Sequence, residues 1–190
     1  DYGATWTSLS AGLPAQPVYA HRSPHAPRPR ATKLALLREA MARHGATHHF
    51  ISTVDDIAWL SNLRGSDVEY NPVFLAHLLL DATGARLFVG EGKVDAALRA
   101  ELRVDGIQLA PYCDASAALA ALGPNDVLLL DPKRVTLGFR EQVGSGCRVV
   151  EAINPSTLLK SRKTEAEAVF IREAMAEDGA AMCEFYAWFE

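Results

Sequence analysis

The stretch Asp55-Asp56-Ile57-Ala58-Trp59-Leu60-Ser61-Asn62-Leu63-Arg64-Gly65-Ser66-Asp67-Val68-Glu69-Tyr70-Asn71-Pro72-Val73-Phe74 changes character half-way along. Its first part is apolar. Ile57, Ala58, Trp59, Leu60 and Leu63 can be buried, and Asp55 or Asp56 can cap a short helix in front of them. Its second part, from Asn62 to Asn71, is polar and pivots on Gly65. Pro72 has no N–H to donate and holds Asn71 out of the helical region, so the chain must leave extended. Val73 to Leu80 then reads as a strand. A short helix, a polar loop with a fixed exit and a buried strand make a rigid way to present side chains beyond the domain.

Upstream, residues 1–30 hold prolines at 14, 17, 24, 27 and 29 and read as a linker or arm. Trp6, Leu13, Val18 and Tyr19 are its candidate anchors. A helix is expected over Ala31–His44, with Leu34, Leu37 and Met41 on one face and Gly45 in the left-handed position after its end. His48 to Thr53 reads as a strand. Downstream, Asp81-Ala82-Thr83-Gly84 predicts a hairpin turn into a strand at Arg86–Val89. Helices follow at Lys93–Arg103, Asp114–Leu122 and Val135–Val143. Strands follow at Ile107–Pro111, at Val127–Leu130 and at Arg148–Val150. Val127–Leu130 is wholly apolar, as a central buried strand should be. Strands and helices alternate, so the fold class is α/β with a mixed sheet flanked by helices. Thr164 and Glu167 form a capping box for a long helix to Glu190, whose apolar face includes Ile171, Met175, Met182, Phe185 and Phe189.

Composition bounds the function. With 190 residues, 49% hydrophobic and 22% charged, the chain has the balance of a globular domain with its own core. A net charge of −4 gives no electrostatic footprint for nucleic acid or an anionic membrane. The basic clusters Arg28/Arg30/Lys33 and Lys160/Arg162/Lys163 read as solvated. Cys113, Cys147 and Cys183 show neither metal-finger nor disulfide-framework spacing, which suits free thiols in a cytoplasmic protein. No run approaches the ~18 apolar residues of a membrane span. The chain opens on Asp1, without an initiator Met, and reads as a piece of something longer.

The run from Asp56 to Phe74 closely resembles the middle domain of the three-domain Xaa-Pro aminopeptidases (aminopeptidase P), a domain of the creatinase/prolidase N-terminal type. Leu13-Pro14-Ala15-Gln16-Pro17-Val18-Tyr19 resembles the linker entering that domain. Asn154-Pro155 and Lys160-Ser161-Arg162-Lys163-Thr164-Glu165-Ala166-Glu167 resemble the passage out of it. The resemblance implies a ribonuclease H-like α/β domain over residues 31–155, with residues 156–190 beginning a catalytic "pita-bread" domain. It implies a parent enzyme, acting on proline-containing peptides as a homodimer, that removes the residue before proline. It also implies two divalent metal ions, Mn or similar, held by a catalytic domain outside this chain. A prolidase-type dipeptidase and a non-enzymatic dimerisation or peptide-binding module are the alternatives.

No metal, nucleophile or phosphate motif is expected within the chain itself. The six histidines lack His-Glu-x-x-His spacing, and Gly144-Ser145-Gly146 continues into no phosphate-binding loop. The candidate substrate-binding residues are Asn62, Arg64, Asp67, Tyr70 and Asn71. Arg64 offers several fixed donors to carbonyl or carboxylate groups, unless it merely pairs with Asp67 or Glu69. Trp59 reads as core more readily than as a substrate wall.

Overall fold

The computed structural model describes residues 14–189. Trp6 and Leu13 lie outside that range. Its centre is a six-stranded sheet. Strand β2 (His48–Ile51) lies between β4 (Ala76–Asp81), to which it is antiparallel, and β7 (Val127–Leu130), to which it is parallel. Beyond β4 come β5 (Ala85–Val89) and then β6 (Ile107–Pro111). Beyond β7 comes β8 (Arg148–Glu151). The order is β6-β5-β4-β2-β7-β8, so the sheet is mixed, as the alternation predicts.

Both faces are covered, and the apolar runs explain why. On one face Ile51, Leu78, Leu80, Leu87 and Leu129 join helix α1 (Arg30–Arg43) through Leu34, Leu37 and Met41. Helix α2 (Val54–Ser61) and helix α3 (Ala96–Val104) complete that layer through Ile57, Leu60, Leu98 and Leu102. On the other face Phe50, Leu79, Phe88, Leu128 and Leu130 meet Ala115, Ala118 and Leu119 of helix α4 (Ala115–Ala120). Phe139 of the short helix α5 (Leu137–Glu141) packs there too.

Local chemistry sets the element ends. Gly45 takes φ +62° after α1, where a side chain would be strained. Asp81 Oδ1 accepts from Thr83 N and Gly84 N, both at 2.7 Å, and closes the β4–β5 turn. Asp95 caps α3 by accepting from Leu98 N at 2.7 Å, so the helix starts later than Lys93. The cap before α2 is Thr53, not an aspartate. Asp56 faces away from its own helix end. Its Oδ2 accepts from Ser156 Oγ at 2.9 Å and Thr157 Oγ1 at 2.8 Å, and Lys160 Nζ lies 2.7 Å from Oδ1.

Those contacts secure helix α6 (Pro155–Ser161), an element the sequence pattern does not predict. Asn154, fully buried, adds bonds to Asp131 Oδ2 at 3.1 Å and Thr53 Oγ1 at 3.1 Å. Helix α7 (Glu165–Phe189) begins on the expected capping box: Glu167 Oε2 accepts from Thr164 N at 2.8 Å, and Glu167 N donates to Thr164 Oγ1 at 3.2 Å. No residue of α7 is buried, and Met182, Phe185, Trp188 and Phe189 are exposed.

Candidate functional site

The arm, the motif and the two longest helices meet at one open cleft of about 500 Å³. Its floor is built by three short segments. Strand β1 (Tyr19–Ala20) of the arm pairs antiparallel with β3 (Leu63–Arg64), and His21 N donates to Asn62 O at 2.8 Å. Asn62 stands in the left-handed region, φ 50° and ψ 42°, and turns the chain sharply from α2 into β3. That turn aims Trp59, Asn62 and Arg64 into one cleft, with His21 and His25 on the arm side and Glu167 and Phe170 of α7 opposite. His25 and Phe170 close one end, their ring centroids 4.6 Å apart.

The five candidate residues do not act as one set. Asn62 and Arg64 line the cleft. Arg64 pairs with neither Asp67 nor Glu69. Its Nη1 donates to Ala58 O at 2.9 Å and Leu63 O at 2.8 Å, which leaves Nε and Nη2 without protein partners among the described residues. The expectation that Asp67 faces substrate does not fit, because its carboxylate is enclosed. Asp67 Oδ2 is ion-paired with Lys93, itself 2% exposed, and accepts from Leu75 N at 2.7 Å. Lys93 Nζ also reaches Pro14 O at 3.1 Å, so this pair fastens the arm to the loop. Tyr70 and Asn71 lie at the exposed loop tip, away from the cleft. Tyr70 is 97% exposed with φ +59°, an uncommon backbone state for a bulky residue. Gly65 is required where it stands: a Cβ there would sit 2.7 Å from Phe74 Cβ.

One cleft residue is absent from the candidate set. Lys33, read as part of a solvated cluster, is only 2% exposed. Its Nζ donates to Trp59 O at 2.7 Å and to Asn62 Oδ1, and lies 4.3 Å from the centroid of the Trp59 ring. Burial draws its pKa down to about 7. Glu167 opposes that fall, and Arg64, Arg28 and Arg30 add to it. Arg30 is buried as well, donating to Ser61 O and pairing with Asp105. The signal available in the sequence was the helical spacing, which puts Lys33 beside Leu34 and Leu37. Trp59 belongs to both worlds: it packs in the core and edges the cleft.

His21 is lowered below its ordinary pKa, first by burial and then by Arg64. Among the described residues no three His, Cys, Asp or Glu side chains converge to hold a metal ion. The cleft presents the basic side chains of Lys33, Arg64 and Lys163, the carboxylates of Glu167, Glu173 and Glu177, and the aromatic faces of Trp59 and Phe170.

The mixed sheet, the clasped polar loop and this cleft define an α/β module of a recognisable kind. The chain belongs to the creatinase/prolidase N-terminal domain family, whose model matches residues 11–167. A "Probable Xaa-Pro aminopeptidase P" of Metarhizium acridum is 33% identical over 198 residues, covering 97% of this chain and 32% of the relative. "Xaa-Pro aminopeptidase 1" of Dictyostelium discoideum is 34% identical over 163 residues, covering 83% of this chain and 25% of its own length. The chain thus spans about a third or less of these curated relatives. Among solved structures, an X-prolyl aminopeptidase from Caenorhabditis elegans, described as a cytosolic enzyme with a di-nuclear active site, superposes with a TM-score of 0.82. It is 22% identical, and the match covers 95% of this chain and 30% of that one. No helix among the described residues is long and apolar enough to cross a membrane.

Proposed function

We propose that this chain is the non-catalytic domain of a metal-dependent aminopeptidase that removes the N-terminal residue from peptides with proline in second position. The domain walls the peptide cleft with Arg64 and Asn62, and the chemistry belongs to a catalytic domain elsewhere in the parent protein. Two divalent metal ions would be held there. Tyr70 and Asn71 belong to the reading as contacts made by the loop tip with a facing surface. The exposed aromatic face of α7 supports a homodimeric or interdomain contact. The free thiols Cys113, Cys147 and Cys183 support a cytoplasmic setting.

The observation that carries the reading is Arg64. Its guanidinium is anchored on one nitrogen and free on the others, in a cleft edged by Trp59, within a family whose relatives bear the name Xaa-Pro aminopeptidase. An Arg that binds ground and transition states alike raises KM when it is removed and leaves kcat nearly unchanged. One charge-assisted hydrogen bond is worth roughly 1.5–3 kcal/mol, so Arg64→Ala should raise KM about 10- to 150-fold for an Xaa-Pro-Yaa peptide. Steady-state kinetics of the parent enzyme read this directly. An unchanged KM with a lowered melting temperature would show that Arg64 only ties β3 to α2.

A further inference from the structure

Two basic side chains of the cleft, buried Lys33 and half-buried Arg64, have no ion-pair partner among the described residues. Neither Lys33 nor Arg64 has a carboxylate oxygen within ion-pair distance among the described residues. The facing carboxylate, Glu167, is already held by Thr164 N and Thr164 Oγ1 at the start of α7. A buried cation without an anion is costly to keep unless something reaches it. Lys33 is nevertheless held in place by Trp59 O, Asn62 Oδ1 and the Trp59 ring, and Arg64 by two backbone carbonyls. The two basic side chains are thus held in position before any ligand arrives.

We propose that Lys33 and Arg64 together form a subsite for the carboxylate of a short peptide, seated against the indole of Trp59. The proposal rests on the peptide-wall reading above and sharpens it: the group bound is an anion, not a carbonyl. Arg64 presents its free Nε and Nη2 as a planar fork that matches two carboxylate oxygens. Lys33 adds a point charge from the floor. The apolar part of the ligand lies between Trp59 and Phe170, and a cleft of about 500 Å³ is of peptide size. Glu173 and Glu177 on the far wall disfavour a multiply charged phosphate there. The groups facing Lys33 are His21 on the arm, Arg28, Arg30, Arg64 and Glu167. Glu167 acts on Lys33 from beyond ion-pair distance, whereas a bound carboxylate would add an anion in direct contact, so binding should draw a proton onto Lys33 near pH 7.

The test is calorimetric titration of the 190-residue chain with Ala-Pro-Ala, with its C-terminal amide, and with Ala-Pro-Glu amide. The free acid should bind at least about 10-fold more tightly than Ala-Pro-Ala amide, and take up a proton in buffers of different ionisation enthalpy. Recovery of affinity by Ala-Pro-Glu amide identifies a side-chain carboxylate as an equal source. Failure to recover it assigns the subsite to the terminal carboxylate. The acid-over-amide preference should be lost in Lys33→Met and in Arg64→Gln. Arg64 is only half-buried, so the second variant keeps the test open if the first does not fold. Equal binding of acid and amide overturns the subsite and leaves the peptide wall standing. No binding of either peptide also overturns it. If the parent enzyme then keeps its KM in Arg64→Ala, the peptide-wall reading falls as well.

Discussion

Asp67 and Lys93 show how a residue that looks functional acts as a fastener. Their side chains are 0% and 2% exposed, and between them they hold Leu75 N and Pro14 O. Removing one partner leaves a buried charge alone, which costs about 3–5 kcal/mol. Asp67→Ala should therefore lower unfolding free energy by that order, read from urea midpoints at constant slope. A loss below about 1 kcal/mol would mean that the cation finds water once its partner is gone. The sequence shows both residues but not their pairing, because they lie 26 positions apart and Lys93 sits just ahead of a helix. For the same reason Arg64 could not be told from a self-paired loop arginine before the loop's own acid was accounted for. Asn62 and Arg64, which line the cleft, were legible as candidates through the motif. Lys33 was not, since a lysine on a helix is ordinarily solvated.

Two histidines give a pH dependence at the same scale. His49 and His77 are buried, and burial lowers both to about 4. Their unfolded value is near 6.5, so between about pH 6.5 and 4 the unfolded chain takes up protons that the folded chain refuses. Stability is full above that window and falls as pH drops through it, by up to about 1.4 kcal/mol per pH unit for each group. Urea midpoints at pH 7 and pH 5 check the sign. His77 stacks with Phe50 and meets Phe139 edge-on, so His77→Phe should flatten the slope and keep the packing. A slope unchanged in that variant would assign the dependence elsewhere.

Among the elements, α6 is the one whose role the pattern hid. A seven-residue helix is too short for periodicity to announce, and its Pro155 start resembles a linker as readily as a helix N-terminus. The physical reason it forms is Asp56, which gathers Ser156, Thr157 and Lys160 from across 100 to 104 positions. Asp56→Ala should free α6 before the rest of the domain unfolds. Hydrogen exchange would show this as lost protection at residues 157–161, with β2 and β4 unchanged; uniform loss would mean α6 is inseparable from the core. The longer elements were read well, α1, β7 and α7 to within a residue or two, because their apolar spacing leaves one face to bury or a clear cap to start from.

At the scale of the molecule, alternation of strands and helices sufficed for the class, but not for the order of the sheet. β2 sits beside β7, whose residues lie 80 positions away, and no local signal in either strand names the other. That placement divides the chain by the order in which it can become structured. The β4–β5 hairpin closes over a few residues, with Leu80 opposite Ala85. Joining β2 to β7 requires a loop about four doublings longer, roughly 2.4 kcal/mol of extra closure entropy. The hairpin with α3 and β6 should therefore be in place when the rate-limiting barrier is crossed, and the β7–β8 side should arrive afterwards. Leu87→Ala should slow refolding, whereas Leu129→Ala should mainly hasten unfolding; stopped-flow chevrons that reversed this assignment would put the nucleus on the far side of the sheet. During synthesis, the half that carries the polar loop would be assembled while β7 and β8 were still emerging.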